Sequence, residues 1–316
     1  MIRRNRIVLA LACVLAMAAP AAAQAARQKI LLDTDIGTDI DDAWALGYAL
    51  KSPSFDLLGV TISDADTAQR ARLACKLLYR LGRTDVPVAV GRATPSPPDR
   101  VDYQFAWAED FRAYTPVAAS AVDFLAAAIR THPHDVTLVA VGPLQNVGDL
   151  VKRHPDVVPL VKRVVLMSGS IAANYYGATP VAEWNVRQAI PEAQAVYAAA
   201  WPLTIVPLDS TSYVRLEDQE RDTLRKAGTP LTIALETLLR LWTASPSSRM
   251  TLHDQLALAE AQEPGRFFGR CETMPLRVDD KGFTRVDRDA GHPVSVCLEP
   301  KRNDFMSHFL AQVSKH

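Results

Sequence analysis

The chain has 316 residues, 48% of them hydrophobic, and its 35 basic side chains are matched by 35 acidic ones. A chain this long and apolar can bury one large core or two modest ones, and its neutral balance offers no electrostatic case for nucleic acid or an anionic membrane surface. No cysteine and histidine spacing suits zinc, and there is no Gly-x-Ser-x-Gly elbow, phosphate loop or Gly-x-Gly-x-x-Gly fingerprint.

Residues 1–25 read as a signal peptide: Arg3, Arg4 and Arg6 form a basic start, Ile7 to Ala19 an apolar core, and Ala21 to Ala25 a small-residue cleavage region. The segment is too short for a permanent bilayer span, so an exported, periplasmic or secreted protein with no stable membrane anchor is expected. Its removal leaves 32 basic against 35 acidic residues. No linker rich in Gly, Ser or Pro divides residues 26–316, which are expected to form a single domain. Of the remaining cysteines, Cys271 and Cys297 are a candidate disulfide, and Cys75, on an amphipathic helical pattern, is expected to be a small buried residue.

The next element is the most informative. Lys29 to Leu32 is a short apolar run that predicts a buried strand, and Asp33, Asp35, Asp39, Asp41 and Asp42 follow within one strand-to-helix turn. Gly37 supplies the bend, and period-two geometry places Asp33 and Asp35 on one side of the extended chain. Asp39, Asp41 and Asp42 then open a helix through Leu50, where carboxylates also suit the positive end of the helix dipole. At an effective dielectric of about 20, two like charges roughly 4 Å apart repel by about 4 kcal/mol, so converging carboxylates either stay protonated or recruit a cation. Oxygen donors alone point to a hard ion, calcium or magnesium. A calcium loop of the EF-hand type is excluded because its twelfth position, counted from Asp33, is Trp44, and the Asp-x-Asp nucleophile of haloacid dehalogenase-like phosphatases does not fit the spacing to Gly37-Thr38.

Farther along, Leu57 to Ile62, Val86 to Val90, Val136 to Val141, Val164 to Met167 and Leu203 to Val206 predict strands. Helical patterns lie between them at Thr67 to Leu81, Val117 to Thr131, Leu144 to Arg153 and Pro191 to Ala200, with a Pro-crowded loop at Arg92 to Arg100. This alternation predicts an α/β fold: a mainly parallel central sheet with helices on both faces, in which ligands bind outside the carboxyl ends of the strands. The acidic turn, Ser63 to Asp66, Gly142 to Asn146 and Ser168 to Ser170 all follow strands and should gather at that edge. Helices are expected from Leu216 to Glu260, a small antiparallel meander from Met274 to Val296, and a closing helix near Phe305 to Val313.

Two further groups carry chemistry. Glu183, Trp184 and Asn185 combine an acceptor, an aromatic face and an amide after an irregular loop, a trio suited to a polyhydroxylated ligand. His253 and Asp254 stand side by side at a helix start, as a candidate metal ligand with an adjacent acid–base group.

The motifs DTDIGTDIDDAWAL, VGPLQN, VVLMSGS, TPVAEWN and LHDQLA, in this order and spacing, resemble the inosine-uridine preferring nucleoside hydrolases across essentially the whole mature chain. The resemblance implies a Rossmann-like nucleoside hydrolase fold and a calcium-dependent N-ribohydrolase that cleaves the bond between ribose and base with water. It implies that Asp35 binds calcium and acts as general base, that Asp42, Asp254 and the main-chain carbonyl of Gln145 complete the metal site, and that His253 helps the base leave. Asp41 would hold the ribose hydroxyls, Glu183 and Asn185 the rest of the sugar, and Met167 would lie near it. The implied partner is a small nucleoside, and the implied assembly a homo-oligomer, dimer or tetramer. The chain also departs from the family: Thr38-Asp39 reads as an insertion, the asparagine that contacts ribose after the second strand is matched to Asp66, and another is matched to Gly177. These altered sugar positions motivate an alternative, an exported protein that binds a nucleoside or sugar without cleaving it.

Overall fold

The run ahead of the first aspartates forms β1 (Gln28–Thr34), buried from Ile30 onward, an interior strand of a nine-stranded sheet. In the computed structural model the described residues are 26–96, 102–175, 177–243 and 250–315, so the expected signal peptide and the end of the Pro-crowded loop lie outside them. β2 (Phe55–Ile62), β3 (Val88–Val90), β4 (Val136–Ala140), β5 (Arg163–Met167) and β6 (Leu203–Val206) all run parallel to β1. The C-terminal strands β7 (Phe268–Val278), β8 (Thr284–Val286) and β9 (His292–Pro300) pair antiparallel among themselves, and β9 joins β6 in parallel. The order is β3-β2-β1-β4-β5-β6-β9-β7-β8.

Right-handed crossovers between parallel strands require helices, and the patterns read from the sequence supply them. These are α1 (Asp41–Lys51), α2 (Thr67–Arg80), α3 (Ala121–Thr131), α4 (Gln145–Arg153), the short α5 (Trp184–Arg187), α6 (Ile190–Ala198) and the short α7 (Leu208–Thr211). After β6 come α8 (Asp218–Ala227), α9 (Pro230–Trp242) and α10 (His253–Gln262), and α11 (Arg302–Val313) closes the chain. One apolar core packs α1, α2, α9, α10 and α11 on one face of the sheet, and a second packs α3, α4 and α6 on the other. Among the described residues no helix is long and apolar enough to cross a membrane.

Three local departures from the sequence reading have physical causes. The third helix starts at Ala121 and not at Val117, because the Ser120 side chain caps it by accepting from Asp123 N while Val117 N is drawn to Val88 O. A 3-10 helix at Tyr103–Ala108, unforeseen in the sequence, follows the Pro-crowded loop. Asp33 does not share a side with Asp35 at the sheet edge: it lies inside the sheet, its carboxylate accepting from Thr61 Oγ1 at 2.5 Å and Asn146 Nδ2 at 2.7 Å. There it ties β1 to β2 and to the start of α4, and burial pushes its carboxyl up to about 7. The expected pair of sulfurs, Cys271 and Cys297, faces across β7 and β9 as a disulfide, and Cys75 is free and buried.

Candidate active site

The strand order reverses between β1 and β4, and in an open α/β sheet that reversal opens a crevice at the carboxyl ends of the strands. The acidic turn follows β1 and the Gly142–Asn146 loop follows β4, so both lie at this edge of the sheet. They are in close contact: a Cβ on Gly142 would lie 2.7 Å from Asp35 N and 2.8 Å from Asp35 Oδ1. Gly37, with φ of +119°, makes the bend in the turn, and a side chain there would run into the Phe105 ring.

The result is a cleft of about 380 Å³ lined by Asp35, Asp39, Asp41 and Asp42 from the turn, Val141 and Met167 from strand ends, Glu183 and Asn185, and His253 and Asp254 from α10. Thr38, Tyr175, Trp184 and Trp242 complete the wall. Carboxylate oxygens of Asp41, Asp42 and Asp254 lie within 4.8 Å of one another, and all three residues are buried. At that spacing each ionised pair repels by about 3.5 kcal/mol at an effective dielectric of 20. Burial first, and then repulsion from neighbouring aspartates, Asp39 and Asp42 on Asp41, Asp35 on Asp42, and Asp41 and Asp42 on Asp254, holds all three carboxyls well above the ordinary aspartate range.

Two of the three are held from outside the cluster. Asp42 accepts from Thr34 Oγ1 at 2.5 Å and from Asp35 N at 3.2 Å. Gln255 donates to Asp41 O at 2.7 Å and so binds the start of α10 to the start of α1. Asp254 Oδ2 is buried without a hydrogen-bond partner among the described residues. A buried carboxylate oxygen left unpaired is costly unless a cation completes it. The donor set therefore fits a hard divalent ion held by oxygen.

Arg70 is the counter-charge. It is completely buried on α2, donates to the main-chain oxygens of Asp35 and Ile36, to Thr38 Oγ1 at 2.8 Å and to Asp64 O at 2.8 Å, and lies 3.8 Å from the Asp35 carboxylate. The sequence offered one signal for it, an arginine on the apolar stripe that continues through Ala74 and Leu77.

Glu183 caps α5, its oxygens accepting from Asn185 N at 2.8 Å, Gly169 N at 3.1 Å and Val186 N at 3.3 Å. Burial nevertheless dominates and raises its carboxyl to about 7. Asn185 uses its NH2 on Val141 O at 2.7 Å and Met167 O at 3.1 Å, which turns its amide oxygen into the group available to a ligand. His253 pairs through Nδ1 with Thr211 Oγ1 at 2.7 Å and meets the edge of Tyr175 at a centroid distance of 5.6 Å; burial drives its pKa down to about 4. Asp209, which the sequence reading missed, accepts from Ile171, Ala172 and Ala173 N and thereby shapes the loop that carries Tyr175.

One residue expected at the site is elsewhere. Asp66 is exposed at the N-cap of α2, accepting from Gln69 N at 3.0 Å and Gln69 Nε2 at 2.8 Å. The carboxylate after β2 that turns toward the acidic turn is Asp64, buried beside Arg70 and held in a left-handed backbone conformation, φ 68°. Gln145, whose main-chain carbonyl is the expected ligand, is the first residue of α4, at the end of the loop that packs on Asp35 through Gly142; its side chain donates to Gln188 O at 3.3 Å.

Comparison with known proteins gives the chain's relatives. The sequence model described as "Inosine-uridine preferring nucleoside hydrolase" matches residues 30–307. The pyrimidine-specific ribonucleoside hydrolase RihA of Shewanella woodyi is 31% identical over 280 residues, 83% of this chain and 88% of its own. RihA of Escherichia coli is 30% identical over 277 residues, 82% and 88% of the two chains. Among solved structures, a plant nucleoside hydrolase superposes with a TM-score of 0.80 at 22% identity, covering 92% of this chain and 99% of its own. A purine-preferring ribonucleoside hydrolase from Gardnerella vaginalis gives 0.75 at 25% identity, over 91% and 98%.

Proposed function

We propose how the site works from one premise: the chain belongs to the inosine-uridine preferring nucleoside hydrolase family, and it is an N-glycosyl hydrolase of nucleosides. The reaction breaks the bond between the sugar and its base and adds the elements of water, giving free ribose and free base. The observation that carries the assignment to this cleft is the arrival of Asp254, from α10 near the far end of the chain, beside Asp41 and Asp42 at the strand-order reversal.

Calcium is the proposed ion, held by Asp42 and Asp254 with Asp41 beside them and Asp35 at the margin of the group. Bound there, it would supply Lewis-acid activation of the attacking water. Asp35 takes the proton from that water as general base, its loop held in place by Arg70. Asn185 Oδ1 and Glu183 receive sugar hydroxyls, with Met167 against the ring and Asp41 beside it. As the bond to the base lengthens the sugar gains oxocarbenium character, and the surrounding carboxylates stabilise that positive charge. His253 is neutral at pH 7 on its lowered pKa, so it assists the departing base through a hydrogen bond and not as an imidazolium.

A panel of purine and pyrimidine nucleosides, assayed for released reducing sugar with and without chelator, tests this reading. Turnover should require the ion, and Asp35→Ala should lower kcat by roughly 10²- to 10⁴-fold. Chelator-insensitive turnover would remove calcium from the account; no turnover of any nucleoside by calcium-loaded protein would remove the hydrolase, and recovery of stoichiometric unchanged ligand would favour the exported binding protein instead. Export itself is part of the proposal, supported by the leader-like opening and the Cys271–Cys297 disulfide, which suits an oxidising compartment. Assembly as a dimer or tetramer is also proposed, on the resemblance.

A further inference from the structure

Thr211, the last residue of α7, is completely buried and does not line the cleft, yet its hydroxyl reaches the His253 ring, 2.7 Å from Nδ1. The surroundings of that ring are held in place. Asp209, two residues before Thr211, accepts from the amides of Ile171, Ala172 and Ala173, at the head of the loop that brings the Tyr175 ring against the imidazole. Leu252 N, just ahead of His253, donates to Val214 O at 2.7 Å. With Nδ1 turned to Thr211, the far side of the ring, which carries Nε2, is the part that reaches the cleft wall. His253 is itself buried, and no carboxylate pairs with its ring among the described residues, so the imidazole is neutral and carries one N–H. If Nδ1 held that hydrogen and donated it to Thr211, the hydroxyl hydrogen would have no acceptor, since Thr211 Oγ1 makes no other hydrogen bond among the described residues and is closed to solvent. An unpaired buried donor disfavours this arrangement by roughly tenfold or more. With the hydroxyl donating to Nδ1, both groups are satisfied and the ring hydrogen sits on Nε2.

We propose that Thr211 is a positioning residue for the departure of the base: its hydroxyl donates to His253 Nδ1 and thereby keeps the ring hydrogen on Nε2, as a donor facing the substrate. As the bond from the sugar to the base breaks, its electron pair goes to the base, and an Nε2–H donor stabilises the charge gathering there. The other tautomer would meet that charge with a lone pair. The inference rests on the hydrolase reading above and adds to it the group that sets the state of His253.

Long-range proton–nitrogen NMR of the histidine rings, with His253 identified by its loss in His253→Ala, reads the tautomer directly. The hydrogen should be on Nε2 in the native protein and in Thr211→Ser, and that preference should disappear in Thr211→Val, which keeps the shape without the hydroxyl. Thr211→Ala takes its place where Thr211→Val does not fold. In kinetics at saturating calcium, Thr211→Val should lower kcat for the best nucleoside substrate by about tenfold, with KM within about threefold of native. Hydrolysis of p-nitrophenyl β-ribofuranoside, whose phenolate leaves without a hydrogen-bond donor, should stay within about threefold of native, and Thr211→Ser should recover nucleoside turnover to the same margin. An equal loss on both kinds of substrate makes Thr211 a packing residue and overturns the proposal. So does a native ring with its hydrogen on Nδ1, nucleoside turnover indifferent to Thr211→Val, or a native protein that cleaves the phenyl riboside alone. A native protein that hydrolyses neither kind of substrate removes the hydrolase reading, and the leaving-group role goes with it whatever the tautomer.

Discussion

At the carboxyl edge of β1, Asp41, Asp42 and Asp254 are buried together, whereas in the β7–β9 strands the charges sit near the surface beside their opposites: Arg277 with Asp287, Arg285 with Asp279, and Arg270 with Glu272 and Glu299. Exposed pairs such as these contribute about 0–1 kcal/mol each, so the terminal strands are held by cross-strand packing, the disulfide and the apolar core beneath them. The acidic edge works against the fold when nothing is bound, since like charges in a desolvated cleft raise the free energy of the folded state. The difference separates two uses of charge. One region satisfies its charges internally and is built for stability, and the other leaves them for a ligand.

The largest expected effect tests the edge. For Asp33 and Glu183 the folded-state pKa is about 7, above the usual carboxyl range near 4, and Asp41, Asp42 and Asp254 are shifted in the same direction. The folded protein without its ion thus holds protons more tightly than the unfolded chain. Stability from these groups is fully present below about pH 4 and is lost as pH rises through 7. Chelator-treated protein should therefore melt on the order of 10 °C lower at pH 8 than at pH 5, a change of about 3 kcal/mol or more. Calcium should restore most of that loss at pH 8 and do little at pH 5, where protons already occupy the carboxyls. A melting temperature that is flat or rising across this window in chelator would break the comparison, because it would mean that the edge carries no unmet charge.

The next effect tests the other region. The Cys271–Cys297 disulfide closes a separation of 26 residues, for which loop entropy gives about 3.5 kcal/mol. Replacing both cysteines by serine should lower the melting temperature by roughly 5–10 °C. No residue of β7, β8 or β9 lines the cleft, so kcat/KM should stay within about threefold of native. A much larger fall in activity with an unchanged melting temperature would show that the terminal strands act on the site and would erase the division.

What could be read in advance follows the same line between local and distant causes. β1, the bend at Gly37 and the loops at the other strand ends were legible because strand period, glycine conformation and the binding edge of a parallel sheet are local or topological rules. Residue chemistry marked His253 and Asp254 as a candidate metal and acid–base pair, but their place beside Asp42 came from the family resemblance, since no local rule joins residues so far apart in sequence. Arg70 and Asp209 were overlooked because a charge on an apolar stripe, or an aspartate at a short helix, does not announce the loop it will hold. Asp33 and Asp35 part because β1 ends at Thr34: Asp33, still in the strand, faces Thr61 and Asn146 inside the sheet, and Asp35, in the turn beyond it, faces the cleft.

Asp66 gives the smallest expected effect and the sharpest local contrast, because it lies two residues from Asp64 with an opposite environment. Its carboxylate is exposed, caps α2 through Gln69, and is held below the ordinary aspartate pKa by those hydrogen bonds. Asp66→Ala should cost about 1 kcal/mol, the usual loss of an N-cap, and lower the melting temperature by roughly 2–4 °C. KM for a nucleoside should not change, because the side chain is absent from the cleft wall. Asp64 stands against the guanidinium that grips the Asp35 turn, so Asp64→Ala should reduce activity where Asp66→Ala does not. A raised KM in Asp66→Ala would return that residue to the sugar, and would mean that the loop after β2 closes over the cleft when substrate is bound.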